Sequence, residues 1–180
     1  YLAGEAGPFN AFSALGLGAE VRRLQAGIDA LRDVEDAHLE LAADFAQMFL
    51  LDAKSGALPY ASVHDASDTR LYGPAEARMQ SFLASASLAV QDEFTEPADH
   101  LAVYLAVMAR LAEDQAQAVD IGAAARDQLA FLQDALLTWL PSFNASNQEA
   151  APRFDFYPAL AALLIAVVKV DARFIRDIAA

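Results

Sequence analysis

The sequence predicts an all-α protein, and three observations carry that reading. Of its 180 residues, 42 are alanine, and leucine comes next; both are strong helix formers. Apolar residues recur at three- and four-residue spacings along most of the chain. Alternating runs of β-branched residues are missing, and the nearest candidate, Ala166 to Val170, sits inside a helical pattern.

The elements follow in order. After a loose, Gly-rich opening, Val21, Leu24, Ile28, Leu31 and Val34 mark one helix, and Leu41, Phe45, Met48 and Phe49 mark a second. The acidic stretch Asp33–Asp36 separates them, because Asp favours a helix start over a helix interior. Ser55-Gly56 ends the second helix. Residues 56–73, with Gly, Pro, Ser and Asp, read as a long loop of the kind that more often serves function than idles. Pro74 opens a helix of about seventeen residues. The break Asp92–Pro97 follows, with Thr95 as N-cap and Pro97 in the first turn of a helix carrying Leu101, Leu105, Met108 and Leu111. A further helix runs from about Val119 to Leu137, and Pro141 stops it. A polar loop, Asn144 to Pro152, precedes the last helix, with Leu160, Leu164, Val167, Phe174 and Ile178 turned inward. The whole reads as a single helical domain over residues 1–180, about six main helices in two packed halves with a mid-chain hinge near Pro97.

Composition excludes several function classes. Hydrophobic residues make up 56% and charged residues 21%, which rules out intrinsic disorder. Asp and Glu outnumber Lys and Arg 25 to 12, a net charge of −13 that leaves few cations from which to build a nucleic-acid face. Basic partners are favoured instead. There are no cysteines, which removes disulfides, thiolate chemistry and cysteine-ligated metals and fits a reducing compartment. No basic stretch precedes an apolar one at the start, so no signal peptide is expected. The longest apolar run, Tyr157 to Val168, spans 12 residues, too short for the roughly twenty of a membrane helix.

Catalytic motifs are lacking. The three histidines, His38, His64 and His100, have no metal-ligand spacing between them, although Asp65 and Asp99 flank two of them. Phosphate-binding loops and a nucleophile elbow are absent, and Gly16-Leu17-Gly18 has neither a third glycine nor a preceding strand, so it reads as flexible chain. The Asp92-Glu93 carboxylates belong to a solvated acidic stretch. Residue chemistry therefore points to a binding module rather than an enzyme, with no cofactor.

One segment is more specific. Glu96-Pro97-Ala98-Asp99-His100-Leu101, with Leu105 and Met108 behind it, resembles the signature of the TorD/DmsD family of redox-enzyme maturation chaperones. Tyr104 departs from it, since the family commonly has Glu there. Asp44-Phe45 with Phe49-Leu50 is similar to the family's acidic-aromatic helix. Leu58-Pro59-Tyr60-Ala61-Ser62-Val63-His64, with Gly73 downstream, resembles its Pro-aromatic-x-Ser-Val-aromatic loop, with His64 in place of the usual aromatic. Trp139-Leu140-Pro141-Ser142-Phe143, then Phe156-Tyr157 and Asp171, resembles its C-terminal pattern.

The resemblance implies a cytoplasmic chaperone that binds the twin-arginine signal peptide and the apo form of a molybdoenzyme, of DMSO or TMAO reductase type, and assists cofactor insertion before export. It implies a peptide site at Glu96, Pro97, Asp99, His100, Tyr60, Ser62, His64 and Gly73, in a monomer or domain-swapped dimer. Capping of a helix by Asp99 and His100 is the competing account of that pair, and Trp139, Phe143, Phe156 and Tyr157 read as core. Two alternatives stand beside it: a metal-dependent phosphate or nucleotide hydrolase, and a helical adaptor of the nitrate reductase chaperone type.

Overall fold

Amphipathic, alanine-rich segments fold into helices throughout, and no strand is found among the described residues. The computed structural model describes residues 9–51, 55–65, 69–91 and 93–180; the expectations placed on the opening residues and on Asp92 lie outside them. Eight α-helices are present there: α1 (Phe9–Ala14), α2 (Gly18–Leu31), α3 (Ala37–Ala46), α4 (Pro74–Ser85), α5 (Leu101–Gln117), α6 (Ile121–Ala130), α7 (Leu140–Glu149) and α8 (Phe156–Ala179). α3 and α6 each run on into a π-helical turn, Gln47–Leu51 and Phe131–Leu136. Two compact units result. One joins the chain up to Leu58 with Asn144–Asp171, and the other joins Pro59–Phe143 with Ala172–Ala180.

In the first unit the turn after α1 is closed at Gly16, whose φ of +84° suits a residue without a Cβ. The Leu17 and Gly16 N–H groups donate back to the Phe12 and Ser13 carbonyls, both at 3.1 Å, which folds Leu17 onto Phe12. Leu17 thereby joins a core of Leu24, Ala159 and Leu163, lined further by Phe9, Ile28 and Phe156. Burying a leucine of this kind is worth about 1.5–3 kcal/mol. Gly27 lets α2 approach α8 closely, since a Cβ there would lie 3.3 Å from the Phe156 backbone. Asp44 on α3 is buried and accepts the Arg153 and Phe154 N–H groups, each at 2.9 Å. Arg23 grips Asp155 with two bonds of 2.7 Å, a bidentate geometry stronger than a single neutral bond. These ties fix the 150–155 segment beside α3, where Phe45, Phe49 and Tyr157 pack ring on ring at 5.2–5.8 Å.

The second unit is built on α4, α5 and α6, with the buried Val103, Tyr104 and Val107 of α5 on its inner face. A short 3₁₀ turn, Ala61–His64, lies within the segment expected to be a plain loop.

Several expectations are corrected. The count is eight rather than six because α1 occupies the opening segment and α7 occupies most of the segment expected to be a polar loop. α7 carries Asn144, Ser146, Asn147 and Gln148, which give no apolar period to detect, yet Asn147 is fully buried. Pro141 does not stop a helix; it is the second residue of α7, where a missing N–H costs nothing. α4 has 12 residues, not seventeen. The Gly16–Gly18 stretch is a helix cap rather than flexible chain. Leu160 and Phe174 are exposed, at 43% and 62%, while Ala159, Leu163, Val168 and Ile175 are buried. The run from Tyr157 is apolar nearly all round the helix, so spacing alone does not select its inner face. The Glu93–Pro97 break lies inside the second unit, and the division between units falls instead after Leu58, within α7 and within α8.

Candidate functional site

α5 begins at Leu101, not near Pro97. Its N-cap is His100, whose Nδ1 accepts the Ala102 N–H at 3.1 Å, so Thr95 plays no such part. A turn closed by the His100 N–H on the Pro97 carbonyl, at 3.0 Å, precedes it. Antiparallel to this turn runs the segment after Leu58. The Leu101 N–H donates to the Pro59 carbonyl at 2.8 Å and the Ala61 N–H to the Asp99 carbonyl at 3.0 Å, with Tyr60 bridged to His100.

The side chains then explain the motif residue types. Asp99 is fully buried and does not cap α5. Its Oδ2 accepts the Ser62 N–H at 2.7 Å and the Ser62 hydroxyl at 2.5 Å. A buried carboxylate needs such donors, because desolvation without them is costly. The Ser62 Oγ in turn accepts the Gly73 N–H at 3.2 Å. Gly73 has to be glycine, since a Cβ would stand 2.9 Å from the Arg70 carbonyl. One serine hydroxyl thus ties three segments together: the loop at 62, the start of α4, and the entry to α5.

Around this knot lies a half-exposed shell. The Tyr60 hydroxyl donates to Glu96 at 2.6 Å, and its ring meets that of His100 edge to face at 5.1 Å. Phe94 approaches His100 from another side at 5.6 Å. Burial pushes the Tyr60 phenol up, and the hydrogen bond and charge of Glu96 push the same way. Burial holds the His100 imidazole below its ordinary value, against the opposing pull of Glu96 and Asp99. His100 is therefore neutral near pH 7, as its acceptor role at Nδ1 requires.

His64 sits apart from this shell. Its ring stacks on Trp139 at 5.9 Å and 20°, and meets the Phe143 edge at 5.6 Å. With Arg78, Phe82, Tyr104, Asp134 and Trp139 it lines a cavity of about 430 Å³, across which Arg78 pairs with Asp65 at 2.8 Å. Tyr104, the departure from the family pattern, is a buried wall of this cavity, with its ring 5.2 Å from Trp139. Burial, and then the Asp99 charge, raise its phenol.

All eight residues singled out in the sequence lie in the second unit. Ser62, Gly73 and Asp99 form one hydrogen-bonded knot. Tyr60, Glu96 and His100 form the shell beside it, joined to the knot through the backbone bridge of Tyr60 to His100. Pro97 belongs to the turn before α5, and His64 lies in the separate cavity. Asp99 and Ser62, both fully buried, offer no surface to a ligand and act by positioning. Arg78 and Asp134 escape a reading of the sequence, for nothing in their spacing marks a cavity lip. Among the described residues no three His, Asp or Glu side chains converge as metal ligands. Nor is any helix there long and apolar enough to cross a membrane.

The family model described as nitrate reductase delta subunit matches residues 14–145. A chaperone protein TorD of Psychrobacter sp. (strain PRwf-1) is 41% identical over 175 residues, which are 94% of this chain and 78% of the relative. The TorD protein of Photobacterium profundum is 39% identical over 174 residues, 93% of this chain and 80% of its own. That of Pasteurella multocida (strain Pm70) is 41% identical over 160 residues, 88% and 76%. No solved structure matches. With the match extending over most of both chains, this chain belongs to the TorD-type family of molybdoenzyme-maturation chaperones.

Proposed function

We propose that this protein works in the cytoplasm as a non-catalytic chaperone, binding the twin-arginine signal peptide of an apo-molybdoenzyme and holding export back until the cofactor is in place. The carrying observation is the Asp99–Ser62–Gly73 knot, which presents Tyr60, Glu96 and His100 as a pre-organised, part-exposed surface. A surface already fixed spends little entropy on binding. A twin-arginine peptide offers two cations and then an apolar stretch, in the helix-in-groove manner. Exposed ion pairs are worth about 0.2–1 kcal/mol each. Covering on the order of 400 Å² of apolar surface contributes about 10 kcal/mol before association costs. The apolar stretch therefore sets affinity, and the arginines set register and selectivity.

The test is a fluorescence titration of the purified protein with a labelled twin-arginine signal peptide from a molybdoenzyme precursor. Binding near micromolar, weakened when both arginines become glutamine, is the expected result. Saturation that requires millimolar peptide overturns the reading.

A further inference from the structure

α4 closes with a turn that shapes more than its own end. Ser87 adopts φ +54°, the Leu88 N–H reaches back to the Leu83 carbonyl at 2.8 Å, and the Ser87 N–H reaches Ala84 at 3.2 Å. This geometry lays Leu88 over Leu83. With Val90, Phe94, Val103 and Val107, these leucines line a cavity of about 440 Å³ that is apolar but for Gln91 and Arg110 at its edge. Leu83, Leu88, Val90, Gln91 and Phe94 also line a second opening of about 580 Å³, whose far wall carries Tyr72, Glu76, Glu96 and Pro97. The two openings are one groove with unlike ends.

Charge distinguishes those ends. Glu76 and Glu96 stand at one, and neither forms an ion pair with another described residue; Glu76 accepts only the Gln80 amide and Glu96 the Tyr60 hydroxyl. Arg110 stands at the other, neutralised by Asp114 at 3.0 Å. Tyr72 is the unusual member. Its φ is +59°, a conformation costly for a non-glycine residue, yet the residue is 71% exposed, so burial does little to offset that strain. A guanidinium stacked on the ring would do so.

On the signal-peptide reading above, we propose that this groove fixes the direction of the bound peptide. The paired arginines lie among Tyr72, Glu76 and Glu96, and the apolar stretch that follows runs over Leu83, Leu88 and Phe94 toward Val107. The carboxylate end and the apolar end match a basic-then-apolar peptide in that order. Among the described residues no unpaired carboxylate lines the far end, where Asp114 is held by Arg110.

The experiment titrates a labelled peptide carrying Arg-Arg followed by a dozen apolar residues, and its Gln-Gln counterpart, against the full chain and three variants. Glu76→Gln should weaken the Arg-Arg peptide about threefold and leave the Gln-Gln peptide unchanged. Phe94→Ala should weaken both about tenfold. Tyr72→Gly should weaken the Arg-Arg peptide severalfold while raising the melting temperature, because it relieves the φ strain; a merely structural tyrosine would not separate the two readouts. Wild-type binding that all three variants retain overturns the groove and leaves the signal-peptide reading standing. A wild-type protein that ignores the peptide overturns that reading, and the groove with it.

Discussion

At the scale of single residues, Asp99 separates the two accounts that the sequence leaves open. A helix cap and a binding residue are both surface roles, and Asp99 has neither, because it is fully buried with its Oδ2 taken twice by Ser62. Loss of a cap costs about 0.5–2 kcal/mol. Loss of a buried acceptor strands both Ser62 donors, at about 1–3 kcal/mol apiece. Asp99→Ala should therefore lower unfolding stability by about 2–6 kcal/mol, read from the urea midpoint at unchanged m-value. It should also weaken peptide binding, because Tyr60 and Glu96 lose their support. A loss below about 1 kcal/mol would mean that the buried Asp99–Ser62 pairing adds little net stability. The identities of these residues are legible in the sequence, but their division of labour is not. Adjacent positions 99 and 100 point one side chain inward and the other to the cap. That depends on a turn whose partner at Ser62 lies 37 residues away.

At the scale of elements, legibility follows the apolar period. α2 stands out because Leu24 and Leu31 of its apolar period are among the residues it buries. α5 is legible as a helix but buries Val103, Tyr104 and Val107 rather than Leu101, Leu105, Met108 and Leu111, which are half-buried. α7 does not stand out, since its buried positions include Asn147, and in α8 the unbroken apolar run from Tyr157 to Val168 hides which side of that stretch faces inward. Helix ends are the least legible, because left-handed caps are filled by residues other than glycine. Ser87 at φ +54° is the clearest case: the sequence offers no stop there, so the apolar spacing carries the expected helix past its true end at Ser85. The same conformation predicts a stabilising change. Glycine enters the left-handed region without the Cβ clash that costs other residues about 1–2 kcal/mol, although it gives some of that back through a more disordered unfolded chain. Ser87→Gly should raise stability by about 0.5–1 kcal/mol, seen as a higher urea midpoint. A lower midpoint would mean that the Ser87 side chain supports the turn.

At the scale of the whole molecule, 25 acidic residues against 12 basic ones set a field that no single groove explains. Such a field steers a cationic peptide during its approach and raises the association rate, whereas it contributes less once the peptide is seated. Ionic strength separates these effects, because the screening length falls from above about 10 Å at roughly 0.05 M to a few ångströms at roughly 0.5 M. Apolar burial along Leu83, Leu88 and Phe94 is not screened in this way. The expected outcome of raising salt tenfold is therefore asymmetric: association slows by an order of magnitude or so, while dissociation barely changes and overall affinity drops by about the same factor as the on-rate. Stopped-flow mixing of labelled twin-arginine peptide at both salt concentrations measures each rate directly. If the off-rate instead rises tenfold or more, the carboxylates rather than the apolar floor hold the bound peptide, and the ranking of the two terms is reversed.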